Sequence, residues 1–225
     1  MEQSVWSLIQ NNEFEKACEK SDEEYRTTGD MLSLRNKVYA LFHLRKYNDA
    51  NSLSEKLIEY RKGETSSDFS FSGIAYWILG NTTKAIQAWQ QARNSLYKDA
   101  AGGIEIEVLL YFAAVKTGQE KLKLDAIRKV KKLLRTKRAT NFPGPLGHYL
   151  LEDITDKELL SYVATVPILR ERQLCQAHFV IAIKKLESGD IDGYYRSLRN
   201  CISYGPASYL SQVYYLAQGE LEVVE

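Results

Sequence analysis

The sequence predicts an all-α protein of stacked antiparallel helical hairpins, and three observations carry that expectation. Proline occurs only at 143, 145, 167 and 206, so the first 142 residues contain none. Proline breaks helix interiors, and a proline-free run of that length permits continuous helix. Apolar residues recur at helical spacing, as in Leu34, Val38, Leu41 and Phe42 or Ile74, Trp77 and Ile78, and no stretch shows the alternation of a half-buried strand. Turn residues then fall between the apolar segments, and short loops favour antiparallel neighbours.

Taken in order, Asn11-Asn12 separates a helix over 2–10 from one over 13–27, and Gly29-Asp30 precedes a helix over 31–44. Helices over 47–62 and 67–79 follow. Gly80-Asn81 opens a helix over 82–98, where Asn81-Thr82-Thr83 reads as a cap as readily as a glycosylation sequon. A helix over 103–116 ends before Gly118, and the next runs over 119–137. The one break in composition is Lys137–Pro145, which reads as a linker. Short helices over 145–151 and 155–164 come next, then helices over 168–188 and 190–203 divided by Gly189-Asp190. The last, over 207–217 and carrying Tyr209, Tyr214 and Tyr215, reads as a cap on the array, with Glu220, Glu222 and Glu225 as an acidic end. This divides the chain into hairpins over 1–138 and a second part over 139–225, read as continuous with the first in one domain.

Length and composition bound the function. The 225 residues suit one larger domain or an elongated array. With 44% hydrophobic and 26% charged residues the chain has enough apolar surface to fold. Its net charge of +1 excludes a protein that is basic throughout. The N-terminus lacks the basic flank and apolar core of a signal peptide, and the longest apolar run, Val108–Val115, is too short to span a bilayer. Three widely spaced cysteines, Cys18, Cys175 and Cys201, argue against a disulfide framework. The expectation is a cytoplasmic protein with no membrane segment.

A repeat of about 34 residues runs through the first half. Ala17, Ala50 and Ala85 lie 33 and 35 residues apart, each three residues after the start of a second helix at Phe14, Tyr47 or Thr82. In the clearest unit, small Gly73, Ala85 and Ala92 mark close helix approach while Tyr76 and Trp89 fill the space left. Gly73, Tyr76, Gly80, Ala85, Trp89 and Ala92 together resemble the tetratricopeptide repeat. Ile181, Ala182, Gly189, Leu198, Cys201 and Pro206 give a second match, which departs from the family at Lys185 and Tyr194. Units centred on Ala17, Ala50 and Gly118 match in part, with Ser21 and Ser54 where an aromatic is usual, and 139–170 fits no repeat. The resemblance implies a right-handed α-solenoid with a concave groove lined by the first helix of each hairpin. By register that groove would present Arg35, Tyr39, Phe42 and His43, then Ser70, Ile74 and Trp77, then Phe112 and Phe179. Aromatic and arginine side chains anchor protein interfaces. Equally, Tyr39, Phe42 and Trp77 could pack between hairpins. Arg35 and His43 suit a core least, which makes them the preferred ligand contacts.

Catalytic signatures are missing from the sequence. Cys175-x-x-His178 is half of a zinc site without a second pair, and Phe142–Gly147 lacks the residues of a phosphate loop. Acidic pairs such as Glu23-Glu24 read as solvated surface. No catalytic, cofactor or metal residue is expected, and the chain is read as a non-enzyme. Charge is more informative. Between Lys116 and Arg138 stand ten basic residues against Glu120 and Asp125, while residues 1–30 carry a net −5. Leu122, Ala126, Val130, Leu133 and Leu134 would face inward, aligning Lys121, Arg128, Lys132 and Arg135 on an exposed face. That face could grip an acidic protein surface or phosphates. The leading expectation is a protein- or peptide-binding module, acting as adaptor, chaperone or inhibitor. A bacterial immunity-type protein that occludes a toxin and a nucleic-acid binder using the basic face are the alternatives.

Overall fold

The computed structural model describes residues 3–223, so Glu225 and the start of the first expected helix lie outside the described residues. Every regular element among the described residues is helical. The chain divides into two compact units, one running to Leu96 and one from Tyr97.

The first unit holds α1 (Val5–Gln10), α2 (Phe14–Thr28), α3 (Arg35–His43), α4 (Tyr47–Tyr60), α5 (Ser66–Ile78) and α6 (Thr82–Ala92), with a 3-10 turn over Met31–Leu34. Three residues join α1 to α2, α3 to α4 and α5 to α6, and the helices of each pair pack on each other, which so short a turn allows only if they run antiparallel. The three turns share one backbone solution. Their second residue is left-handed, with φ of 61° at Asn12, 57° at Arg45 and 79° at Gly80. The next N–H reaches back to the last helical turn: Glu13 to the Leu8 carbonyl (2.9 Å), Lys46 to that of Leu41 (2.9 Å) and Asn81 to that of Tyr76 (2.8 Å). This is the helix-ending bond that satisfies carbonyls otherwise left without a partner.

Ala17, Ala50 and Ala85 are each fully buried at the start of the second helices, as their spacing predicts. Ser21 and Ser54, which stand where aromatics were expected, are also buried. Their hydroxyls donate to the carbonyls of Ser33 (2.6 Å) and Ala50 (2.8 Å). Gly73 of α5 lies against Trp89 of α6 so closely that an added Cβ would fall 2.6 Å from Trp89 Cδ1. The indole of Trp89, fully buried, donates to the Ser70 carbonyl at 3.2 Å. Asn81 caps α6 by accepting from the Lys84 N–H at 3.1 Å, so the cap reading of that tripeptide holds. The helix expected over 82–98 stops at Ala92 instead. There the Ser95 hydroxyl donates to the Gly63 carbonyl at 2.9 Å and draws the chain out of helical geometry.

The second unit holds α7 (Ile104–Thr117), α8 (Glu120–Leu134), α9 (Gly144–Leu150), α10 (Asp156–Ser161), α11 (Pro167–Glu187), α12 (Ile191–Ile202) and α13 (Gln212–Glu222). The Asp99 carboxylate opens α7, accepting from the N–H groups of Ala101, Gly103 and Glu105 at 2.8–2.9 Å. The turn from α11 to α12 repeats the first unit's geometry, with Gly189 at φ 80° and the Asp190 N–H bonded to the Lys185 carbonyl at 2.9 Å. Lys137–Pro145 is no linker. Its first residues form a 3-10 turn, Ala139 is buried, and Gly144 packs on the Ala139 backbone. Because α9 then packs on both α7 and α8, the division expected at 138/139 falls inside a compact unit. The expected capping helix is a 3-10 turn over Pro206–Leu210 followed by α13, in which Tyr214 and Tyr215 are buried. No helix among the described residues is long and apolar enough to cross a membrane.

Candidate functional site

Most of the residues expected to line a groove are core. Tyr39, Phe42, Ser70, Ile74, Trp77 and Phe112 are all buried, as is Phe179. Most of these aromatic pairs join first helices to one another. Trp6 of α1 meets Tyr39 of α3 edge-on at 6.0 Å, and Tyr39 meets Phe71 of α5 at 5.0 Å. Phe42 lies 5.6 Å from the same Phe71, Trp77 stacks on Trp89 at 5.8 Å, and Phe112 meets Phe179 at 5.4 Å. Burial in such pairs leaves no ring face for a ligand. His43 is half-buried. Its ring stacks on Phe14 at 4.1 Å, nearly parallel, and burial pushes its pKa down to about 4. An imidazole on an apolar ring is a packing residue, neutral at physiological pH. Arg35 alone of this set is exposed, at the start of α3. Beyond the groove, Cys175 turns inward to Cys201, and His178 stacks on Tyr204 at 5.8 Å.

The basic face behaves as its periodicity predicts. Leu122, Ala126 and Val130 form the buried side of α8, with Leu133 and Leu134 partly covered, and Lys121, Arg128, Lys132 and Arg135 are all exposed. With a rise of about 1.5 Å per residue, the four span about 21 Å along one side of the helix. Lys129, Lys131, Lys137 and Arg138 flank them, also exposed. Lys131 and Lys132 occupy the last turn, where the helix dipole favours cations. The inner side is held tightly. Gly147 of α9 brings α7 and α8 together, an added Cβ there meeting Ile104, Val130 and Leu134 at 3.0–3.2 Å.

Two of the ten basic residues between 116 and 138 do structural work. Lys116 pairs with the buried Glu220 at 2.6 Å, and the same carboxylate oxygen accepts from the Tyr194 hydroxyl at 2.7 Å. Lys123 pairs with Glu120 at 2.9 Å and with Glu187 of α11 at 3.3 Å. Glu187 also takes Lys184 at 2.5 Å and the Tyr111 hydroxyl at 2.8 Å. Burial opposes charge on Glu187, but these donors outweigh it and hold its carboxyl below the usual range. This network ties the foot of α8 to α11.

One residue of the face was missed. Leu124, 53% exposed, projects among the cations, three residues after Lys121 and four before Arg128. The signal was in the sequence, since Leu124 lies off the apolar stripe of Leu122, Ala126 and Val130. Asp125 is the one acid on this side, 3.5 Å from Arg128. No family model matches the chain, and no curated protein matches it.

Proposed function

We propose that the chain is a non-catalytic recognition module of the cytoplasm, a right-handed solenoid of tetratricopeptide-like hairpins that takes an acidic protein surface on the outward face of α8. The repeated turn at Asn12, Arg45, Gly80 and Gly189 supports the repeat reading, as do the buried alanines 17, 50 and 85. The contact surface lies outside the expected groove, because the groove's aromatic residues are used for packing.

A single observation carries the choice of partner: Leu124 stands exposed inside a field of cations. A nucleic-acid backbone offers phosphates, for which a leucine provides nothing, and stacking on bases needs aromatic side chains that this face lacks. A protein interface combines an apolar anchor with a charged rim. An exposed leucine between Lys121 and Arg128, on a face that carries further cations to its C-terminal end, therefore matches an acidic surface that also offers an apolar residue.

Capture experiments test this. The chain and its Arg128→Glu/Lys132→Glu/Arg135→Glu variant are each immobilised and exposed to lysate of the native host, with and without nuclease treatment. The expected result is an acidic protein held by the parent, lost from the triple variant and weakened by Leu124→Asp. Retention that survives the triple variant, or that disappears with nuclease treatment, overturns the proposal.

A further inference from the structure

We propose that Cys175 and Cys201 are an oxidation site, a thiol pair that closes to a disulfide between α11 and α12 on exchange with a low-molecular-weight disulfide. The two sulfurs lie 3.2 Å apart, one in the middle of α11 and one in the last turn of α12, and neither side chain is exposed. A disulfide needs about 2.05 Å, so the sulfurs are about 1.2 Å short of bonding distance. The helices that carry them are joined by only three residues and packed side by side, so the approach requires no rearrangement of the chain. The odd cysteine count, which argued against pairing, resolves into one facing pair and a separate thiol. Cys18 belongs to the other compact unit and is partly exposed.

The chemistry is two exchange steps. One cysteine thiolate attacks a sulfur of the small disulfide, forming a mixed disulfide and expelling one small thiolate. The second cysteine thiolate attacks the protein-side sulfur, forms the Cys175–Cys201 bond and expels the other. Two electrons pass from the protein pair to the small disulfide, and the two cysteine protons end on the two small thiols. Burial and the neighbouring thiol push the Cys201 pKa up, so the thiolate is scarce while the helices are closed. Both sulfurs are fully buried, so a small disulfide reaches them only when the helices part locally. The pair is therefore slow to oxidise in the closed fold and fast after local opening. Once formed, the bond closes a loop over α11 and α12 and stabilises the packed state.

The full chain is incubated with oxidised glutathione, with and without a subdenaturing amount of urea, then alkylated under denaturing conditions, digested and read by mass spectrometry. The proposal expects a Cys175–Cys201 linked peptide pair, lighter by two hydrogens than its two free peptides together and formed faster with urea, while Cys18 is alkylated or carries glutathione. The oxidised chain should melt higher than the reduced one by on the order of 5 °C. Cys201→Ala, close in volume and without sulfur chemistry, should lose both the linked pair and the melting shift. Should that variant fail to fold, the wild-type peptide map decides alone. Cys175 and Cys201 both fully alkylated after oxidation in urea, or linkage through Cys18, or a lower melting temperature on oxidation, overturns the proposal.

Discussion

Replacing Gly73 by alanine separates two forces that pull in opposite directions. In an exposed helix interior the change would stabilise by about 1 kcal/mol, because alanine has the better helix propensity. Here the new Cβ would stand 2.6 Å from Trp89 Cδ1 and closer still to the indole nitrogen. Trp89 is fully buried and its ring is stacked on Trp77, so it has nowhere easy to go. Overpacking of this kind costs about 1–3 kcal/mol. Displacing the indole also weakens its hydrogen bond to the Ser70 carbonyl, about 0.5–1.5 kcal/mol more. Crowding therefore exceeds propensity, and Gly73→Ala should destabilise by about 1–3 kcal/mol in urea unfolding followed by circular dichroism. Trp89→Phe removes the indole nitrogen, the nearest crowding atom, and shrinks the ring, so in the double variant the Gly73→Ala penalty should fall, a coupling of about 0.5–1 kcal/mol. A stabilised Gly73→Ala chain, or strictly additive effects in the double variant, would refute the close-approach reasoning.

Further expectations follow from other elements. Gly80→Ala has open space around the added Cβ but a φ of +79°, so it should cost about 1–2 kcal/mol through the backbone alone, and Trp89→Phe should not relieve it. Glu105 accepts from the Gln176 amide at 2.8 Å, and burial, with Asp99 adding to it, raises its pKa to about 7. The folded chain then keeps a proton that the unfolded chain releases near 4.5, so this group's contribution to stability falls as pH rises from about 4.5 to 7. With 19% of the side chain exposed, solvent screening limits the loss to on the order of 1–2 kcal/mol. Glu105→Gln should match the parent near pH 5 and exceed it near pH 8 in thermal melts. An equal difference at both pH values would count against the buried-carboxyl reading.

The repeat and the basic helix were legible in the sequence for the same reason: both are periodic. Ala17, Ala50 and Ala85 mark contacts where only a small side chain fits, and the α8 cations fall on one side of a regular helix. The groove was not legible. Register places Tyr39, Phe42 and Trp77 on first helices, but it cannot say whether a ring meets solvent or the next helix, and here Phe71 and Trp89 cover them. His43 misled because its polarity suggested exposure, whereas its flat ring stacks on Phe14 at 4.1 Å. The stop at Ala92 was hidden because Ser95 answers to Gly63, 32 residues earlier, a contact that no local pattern records. The Arg45 turn hid for the opposite reason. It adopts the left-handed backbone without glycine or asparagine, so the repeat's punctuation is lost there while its geometry persists.

The most direct test of recognition through α8 is lysine footprinting of the chain in complex with the acidic protein it captures. Both states are acetylated briefly and the modification at each lysine is read by mass spectrometry. Lys121 and Lys132 should lose most of their reactivity in the complex, with Lys129 and Lys131 following, while Lys46 and Lys56, exposed on the other unit, keep theirs. Unchanged reactivity at Lys121 and Lys132 beside protection of Lys46 or Lys56 would contradict the account and move the binding surface off α8.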